Sequence, residues 1–247
     1  MDYSLLKKDL DERGYFRVSI NPCIPLLENL RAKIFSVNNC LSESKNLGKI
    51  SDDRDIVNFR LKNQSLQYLG VKHLWNSSAL FSLGGHPYFE ELLKSICKFK
   101  EPIHNLQPVL RVDLPIKEQS RFSQHQDYAY NCGSENSVTI WIPLQDTSFK
   151  EGSLLVCAKS HLNEVYPNKK GIIEKKFKFK FENCDVKYGQ AIIFNQKLVH
   201  ASGYNCSDKI RFSVQLRFSD LGCNEYKKRN FPINTEFKTL KYQNEIK

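Results

Sequence analysis

Among eight cysteines, at positions 23, 40, 97, 132, 157, 184, 206 and 223, the sequence has no Cys-x-x-Cys pair. A thiolate zinc site and a thioredoxin-type redox motif therefore have no support, and the cysteines read as reduced, mostly buried thiols. No run of eighteen apolar residues is present. The opening MDYSLLKKDLDERG is charged and amphipathic and lacks the apolar stretch of a secretory leader. The expectation is a cytoplasmic protein with no membrane partner. Internal repeats, low-complexity tracts and an interdomain linker are also lacking, so the 247 residues are expected to form one domain. Its parts would be a helix-rich segment over 1–105, a β-rich core over 106–220 and a basic tail over 221–247. A fold of this length buries roughly 70–75% of the surface its unfolded chain exposes, enough for a core with a real pocket.

Acidic residues are in deficit: 27 Asp and Glu against 37 Lys and Arg, a formal charge of +10. That balance raises nucleic acid, an anionic surface or an acidic metabolite as partners. Much of the excess lies in Lys169 to Lys180 and in Lys227 to Lys247, and neither stretch has the form of a nucleic-acid patch. A basic, solvated surface is the plainer reading.

Apolar residues recur at helical spacing at Leu5, Leu6 and Leu10, at Leu27, Leu30 and Ile34, and at Phe89, Leu92, Leu93 and Ile96. Gly14 ends the first of these helices. Tyr15 to Ile20 then alternate as a strand, stopped by Asn21-Pro22. From about Leu106 the pattern changes to short strands between turn residues, the signature of a sandwich or barrel. Val138, Ile140, Ile142 and Leu144 alternate with Ser137, Thr139 and Trp141. Phe212, Val214, Leu216 and Phe218 alternate with Arg211, Ser213, Gln215 and Arg217. Each strand has one greasy and one polar face, as in a half-exposed sheet or around a polar-lined interior.

His125-Gln126-Asp127 puts an imidazole and a carboxylate two residues apart, on the same face of an extended strand, where both can reach one ion. Taken alone the triplet is a weak signal. His200, after the apolar strand Ala191 to Phe194 and a turn at Asn195 to Lys197, supplies a third ligand. Two imidazoles and one carboxylate make the facial triad of non-haem iron(II) oxygenases, which leaves positions open for cosubstrate and dioxygen. A structural zinc site would be closed by a fourth ligand. Arg211, eleven residues after His200, opens a strand and can grip a carboxylate bidentately; Ser202 can add a hydroxyl. For Arg211 alone, a surface ion pair is the bland alternative.

The ordered set of HQD at 125–127, SVTIWIPLQDTSFKEGSLLV at 137–156, Ser160-His161, and FNQKLVHASGYNCSDKIRFSVQLRF at 194–218 resembles the phytanoyl-CoA dioxygenase family of iron(II)/2-oxoglutarate oxygenases. The opening DERGYFRV is also similar to that family. The resemblance implies a mainly β fold with flanking α: a double-stranded β-helix, or cupin-like jelly-roll barrel, buttressed by N-terminal helices. It implies Fe(II) on His125, Asp127 and His200, 2-oxoglutarate as cosubstrate on Arg211 and Ser202, and dioxygen. Arg111 and Thr139 are further candidates for the 2-oxoglutarate side, and Gln107 and Trp141 for the substrate side; an ion pair with Asp113 is an equal reading of Arg111. The segment Cys157-Ala158-Lys159-Ser160-His161 departs from the family's pattern by lacking the Pro-Gly before Ser-His, so His161 reads as a hydrogen-bonding structural residue.

The implied activity is hydroxylation of an unactivated C–H bond of a small metabolite with release of succinate and carbon dioxide. Desaturation, epoxidation and ring formation share its first steps, whereas halogenation is disfavoured because Asp127 is present. The basic charge favours an anionic or carrier-linked substrate slightly. Three alternatives stay open: a nucleic-acid demethylating oxygenase, although eleven residues is a shorter interval than that group has; a non-catalytic jelly-roll binding module; and a cupin isomerase or zinc hydrolase. The sequence does not set the oligomeric state.

Overall fold

The computed structural model describes residues 2–115, 122–131 and 133–232. Cys132 and the basic tail beyond residue 232 lie outside the described residues.

Asp2 caps helix α1 (Tyr3–Arg13), accepting from the backbone N–H groups of Ser4 and Leu5. Gly14 ends it at φ 89°, a left-handed conformation that only glycine adopts at little cost. The chain passes directly into β1 (Tyr15–Ser19), and Asn21-Pro22 turns it into α2 (Ile24–Glu43), whose Leu27, Leu30 and Ile34 are buried. Then come α3 (Asp53–Lys62), α4 (Gln64–Trp75), α5 (Ser78–Gly84) and α6 (Pro87–Leu92). A π-helical turn, Leu93–Cys97, extends α6 and buries Leu93 and Ile96.

The long strand β2 (Pro102–Asp113) begins the β-rich part. A four-residue helix α7 (Tyr128–Asn131) precedes β3 (Val138–Pro143) and β4 (Leu154–Val156). A small ribbon, β5 (Asn168–Lys169) with β6 (Ile172–Ile173), leads to β7 (Glu182–Cys184), β8 (Gln190–Asn195), β9 (His200–Ser202), β10 (Arg211–Asp220) and helix α8 (Asn224–Lys228). The strands form a five-stranded sheet in the order β1-β8-β3-β10-β2 and a three-stranded sheet in the order β7-β4-β9, antiparallel throughout. This is the mainly β architecture with flanking helices expected above, but among the described residues the two sheets stay separate and no closed barrel forms.

The larger sheet is buried on both faces. Val138, Ile140, Ile142, Ile193, Val214 and Leu216 pack with Leu27, Leu30, Ile34 and Leu80 of the helices in the main core. The alternate residues Trp141, Ile192 and Phe194 pack on Leu154, Val156 and Cys184 of the smaller sheet. All six residues of β3 are therefore buried, with the greasy side toward the helices and the mixed side toward the space between the sheets. Among the described residues, no helix is long and apolar enough to cross a membrane.

A Cβ added at Gly14 would stand 2.4 Å from His161 Nδ1 and 2.6 Å from Leu198 Cδ1, in a backbone conformation that already disfavours a side chain. Gly14→Ala is expected to destabilise the fold by about 1–3 kcal/mol, read from the shift in a urea unfolding midpoint.

Candidate metal centre

His125 and His200 are locked side by side by a reciprocal backbone pair, each N–H donating to the other's carbonyl at 3.0 Å. Their rings are tilted by 52° with centroids 3.9 Å apart. This pair extends the smaller sheet by one isolated bridge, so a residue far earlier in the chain meets the first residue of β9. Asp127 is buried beside them: its Oδ1 lies 3.5 Å from His125 Nε2 and 3.8 Å from His200 Nε2. The three side chains offer ligand atoms that all lie within 4.8 Å of one another.

The tautomers follow from the backbone. His125 Nδ1 lies 2.7 Å from the Ser123 carbonyl and His200 Nδ1 lies 2.9 Å from the Leu198 carbonyl. A carbonyl only accepts, so both Nδ1 atoms carry a proton and both Nε2 atoms are turned to Asp127 Oδ1. Burial, with the neighbouring His125, pushes the His200 pKa down to about 3, so its imidazole stays neutral. For Asp127, burial works upward, but chiefly the Arg217 guanidinium outweighs it and holds the carboxyl well below the usual range. Two imidazoles and a carboxylate make a donor set for a divalent metal. Asp127 Oδ2 is taken up elsewhere: it accepts from Thr139 Oγ1 at 2.6 Å and from Arg217 Nε at 3.1 Å. The carboxylate is left with one oxygen facing the imidazoles. No fourth metal-ligating side chain joins the cluster among the described residues, so a metal held there keeps an open side.

That side faces a cavity of about 400 Å³ between the sheets. Arg111, Ser202, Arg211, Gln215 and Arg217 form its polar wall; Val71 and Trp75 of α4, Leu106 and Val109 of β2, and Trp141 form much of its apolar wall. Arg211 is buried, with its Nη2 2.7 Å from Asp113 Oδ2, while Arg111 Nη2 lies 3.2 Å from Asp113 Oδ1. Among the described residues, the Nε and Nη1 groups of Arg211 and the hydroxyl of Ser213 find no partner. Buried guanidinium donors without partners are costly, and here they border the cavity beside the triad. A dicarboxylate spanning the metal and Arg211 would satisfy them.

The structure thus brings His125, Asp127 and His200 together, with Arg111, Trp141, Ser202 and Arg211 around the same cavity. Thr139 points its hydroxyl at Asp127 and holds a ligand in place. Gln107 is exposed and does not line the cavity. The reason is a bulge: Gln215 pairs with Val109 but Arg217 pairs with Leu106, so β2 carries one extra residue there and its facing parity flips from Gln107 to Leu106. His161 lies away from the cavity, with Nε2 3.0 Å from the Asp11 carbonyl. Arg217 and Gln215 escaped selection from the sequence, although they share strand parity with Arg211. No sequence signal points to Val71 and Trp75, which reach the site only through the packing of α4 on β2.

A family model described as phytanoyl-CoA dioxygenase matches residues 41–213. Among solved structures, the apo form of the non-heme monooxygenase ThoJ superposes with a TM-score of 0.65 at 19% identity, over 87% of this chain and 77% of that one. The epimerase SnoN, solved with Fe3+, alpha ketoglutarate and nogalamycin RO, gives 0.62 at 15% identity over 88% of this chain and 83% of that one. EvdO2 from Micromonospora carbonacea var. aurantiaca, solved with 2-oxoglutarate, gives 0.57 at 13% identity over 88% and 92%. At these identities the likeness is one of fold. A search of curated protein sequences returns no match.

Two outcomes follow from the hydrogen bonds around the site. Thr139→Val removes the donor that orients Asp127 and should weaken divalent metal binding about tenfold or more, measured by competition with a chromophoric chelator. Burial raises the Asp113 pKa, but Arg211 and Arg111 bring it below its ordinary value of 3.8. The folded state therefore holds that proton less tightly than the unfolded chain. The ion-pair contribution is complete above about pH 4 and disappears as the pH falls through the folded-state value. Asp113→Asn should flatten this acid limb in pH-dependent denaturation. It should also lower stability at pH 7 by roughly 3–5 kcal/mol, because two guanidiniums lose a buried partner.

Proposed function

The chain belongs to the phytanoyl-CoA dioxygenase family, and from that membership and the site just described we propose that it is an iron(II)- and 2-oxoglutarate-dependent oxygenase that hydroxylates an unactivated C–H bond of a small molecule. The observation that carries this reading is the open triad and, on the wall of the same cavity, the Arg211 donors that have no partner among the described residues. His125 Nε2, Asp127 Oδ1 and His200 Nε2 hold the metal. Iron with 2-oxoglutarate and dioxygen supplies C–H oxidation coupled to decarboxylation of the 2-oxo acid to succinate and carbon dioxide.

The protein's part is binding, orientation and exclusion of water. Arg211 binds the far carboxylate of 2-oxoglutarate through Nη1, with Ser202 contributing its hydroxyl and Arg111 adding positive charge from the same wall. Asp113 keeps Arg211 in place through its Nη2 group. Thr139 and Arg217 keep one oxygen of Asp127 occupied, so that the other stays with the imidazoles. Trp141 and Leu154 form apolar wall beside the triad and limit the water that reaches it. A cavity of this size between two sheets suits a small molecule and not a strand of nucleic acid, whose surface patch the sequence also lacks.

His125→Ala and Asp127→Ala should each abolish succinate formation. Arg211→Ala should chiefly raise the 2-oxoglutarate concentration needed, by about 10- to 100-fold, as expected for loss of a charged hydrogen-bonded contact. Steady-state assay of succinate against 2-oxoglutarate concentration separates these outcomes. Succinate formation unchanged in all three variants would remove the site from the reaction.

A further inference from the structure

The first cavity wall that belongs to neither sheet is helix α4. Tyr68, Val71, Lys72 and Trp75 stand at positions i, i+3, i+4 and i+7, and so share one face of the helix. Val71 and Trp75 line the cavity. Trp75 is fixed there because its Nε1 donates to the Leu110 carbonyl of β2 at 2.7 Å. One turn further out, the Lys72 ammonium stands 3.8 Å from the centre of the Trp75 ring and 5.6 Å from that of Tyr68, whose side chain is exposed to solvent. A single stripe thus runs from the metal cavity to the surface: an indole, an ammonium, then a phenol.

The charges along this route are uneven. Three arginines and no carboxylate line the cavity among the described residues. Arg217 is engaged by Asp127, and Arg111 and Arg211 share Asp113, with Arg211 reserved for the cosubstrate in the function proposed above. Lys72, by contrast, has aromatic rings as its neighbours and makes no ion pair among the described residues. An ammonium on an indole face is partly desolvated without being neutralised, which strengthens its attraction for an anion arriving at the same place. Beside it, Val71, Trp75, Leu106 and Val109 present apolar surface that 2-oxoglutarate has no group to cover.

We propose that α4 selects the substrate: an apolar, ring-sized body packs against Val71 and Trp75 while an anionic group on it, a carboxylate, sulfonate or phosphate, pairs with Lys72 at the rim. This inference rests on the function proposed above. It assigns Lys72 and Trp75 as specificity-determining residues, and it directs the oxidation to a carbon a few bonds away from the charged group, since the charge sits at the rim and the triad lies deeper.

The test uses the Fe(II)- and 2-oxoglutarate-loaded protein under anaerobic conditions, titrated with naphthalene-2-sulfonate and with its neutral counterpart naphthalene-2-sulfonamide. Calorimetry reads the affinity, and the visible band of the chelated 2-oxo acid reports whether each probe perturbs the metal site. The sulfonate is expected to bind at least tenfold more tightly than the sulfonamide and to shift the band. Lys72→Gln should bring the two affinities together, and Trp75→Phe should weaken both without altering their ratio. Val71→Trp, which fills the cavity and leaves Lys72 in place, should abolish binding of both. Equal affinities in the wild type, or a sulfonate preference that survives Lys72→Gln, would overturn the assignment. A normal chelate band in those cases leaves the oxygenase reading standing; absence of the band would overturn that reading and this inference with it.

Discussion

The reciprocal hydrogen-bonded pair between His125 and His200 is the constraint on which the rest of the site depends. Their backbone groups are satisfied by each other, so the two imidazoles are held in register by sheet geometry and not by side-chain contacts alone. Each ring is then oriented by a carbonyl two residues earlier, Ser123 for one and Leu198 for the other. Asp127 follows at strand spacing and needs only to be kept from rotating, which Thr139 from β3 and Arg217 from β10 accomplish. Four separate segments thus converge on one carboxylate. A buried, ionised Asp127 would be costly by itself; a guanidinium and a hydroxyl offset that cost at Oδ2, and a divalent metal held by the triad would do so at Oδ1.

The larger sheet separates structural from chemical duties. Its outward face is apolar and carries the helices, and the packing of α2 and α5 against it makes that sheet a rigid floor. Its inward face mixes Trp141, Ile192 and Phe194 with Thr139, Arg211, Gln215 and Arg217. The inward polar groups are tolerable because they are used in pairs: Arg217 with Asp127, Arg211 with Asp113. The Arg211 donors that have no partner among the described residues border the cavity where a dicarboxylate cosubstrate would bind.

The core of this arrangement could be read from the sequence because it depends on short-range geometry. A His-x-Asp on a strand shares a face by necessity, and His200 and Arg211 are placed by the ends of short strands whose alternation is plain. Gly14 as a helix stop, and the helices around Leu10, Leu30 and Phe89, followed from equally local rules. The helices α3 to α5 did not stand out, since each buries only a few apolar residues, such as Ile56 and Phe59 in α3 and Leu74 in α4, too few to mark a period. Gln107 was misplaced by one bulge, because an extra residue inverts every later facing assignment on a strand and leaves no mark in composition. The partner of Thr139 could not be read either: parity put its hydroxyl inside, but only the fold determines that Asp127, and not the cosubstrate, receives it. The double-stranded β-helix implied by the family resemblance takes the form of two facing sheets, not closed into a barrel among the described residues, with the triad between them.

The most direct test of the central claim is to add iron(II) and 2-oxoglutarate to metal-free protein under strictly anaerobic conditions and record the visible metal-to-ligand charge-transfer band of a chelated 2-oxo acid, with Asp127→Ala alongside. The account predicts a band that saturates at one equivalent of iron in the wild type and is lost in the variant. A folded wild-type protein that binds iron at His125, Asp127 and His200 yet gives no band would contradict it, since the open face would then not be a 2-oxo acid site.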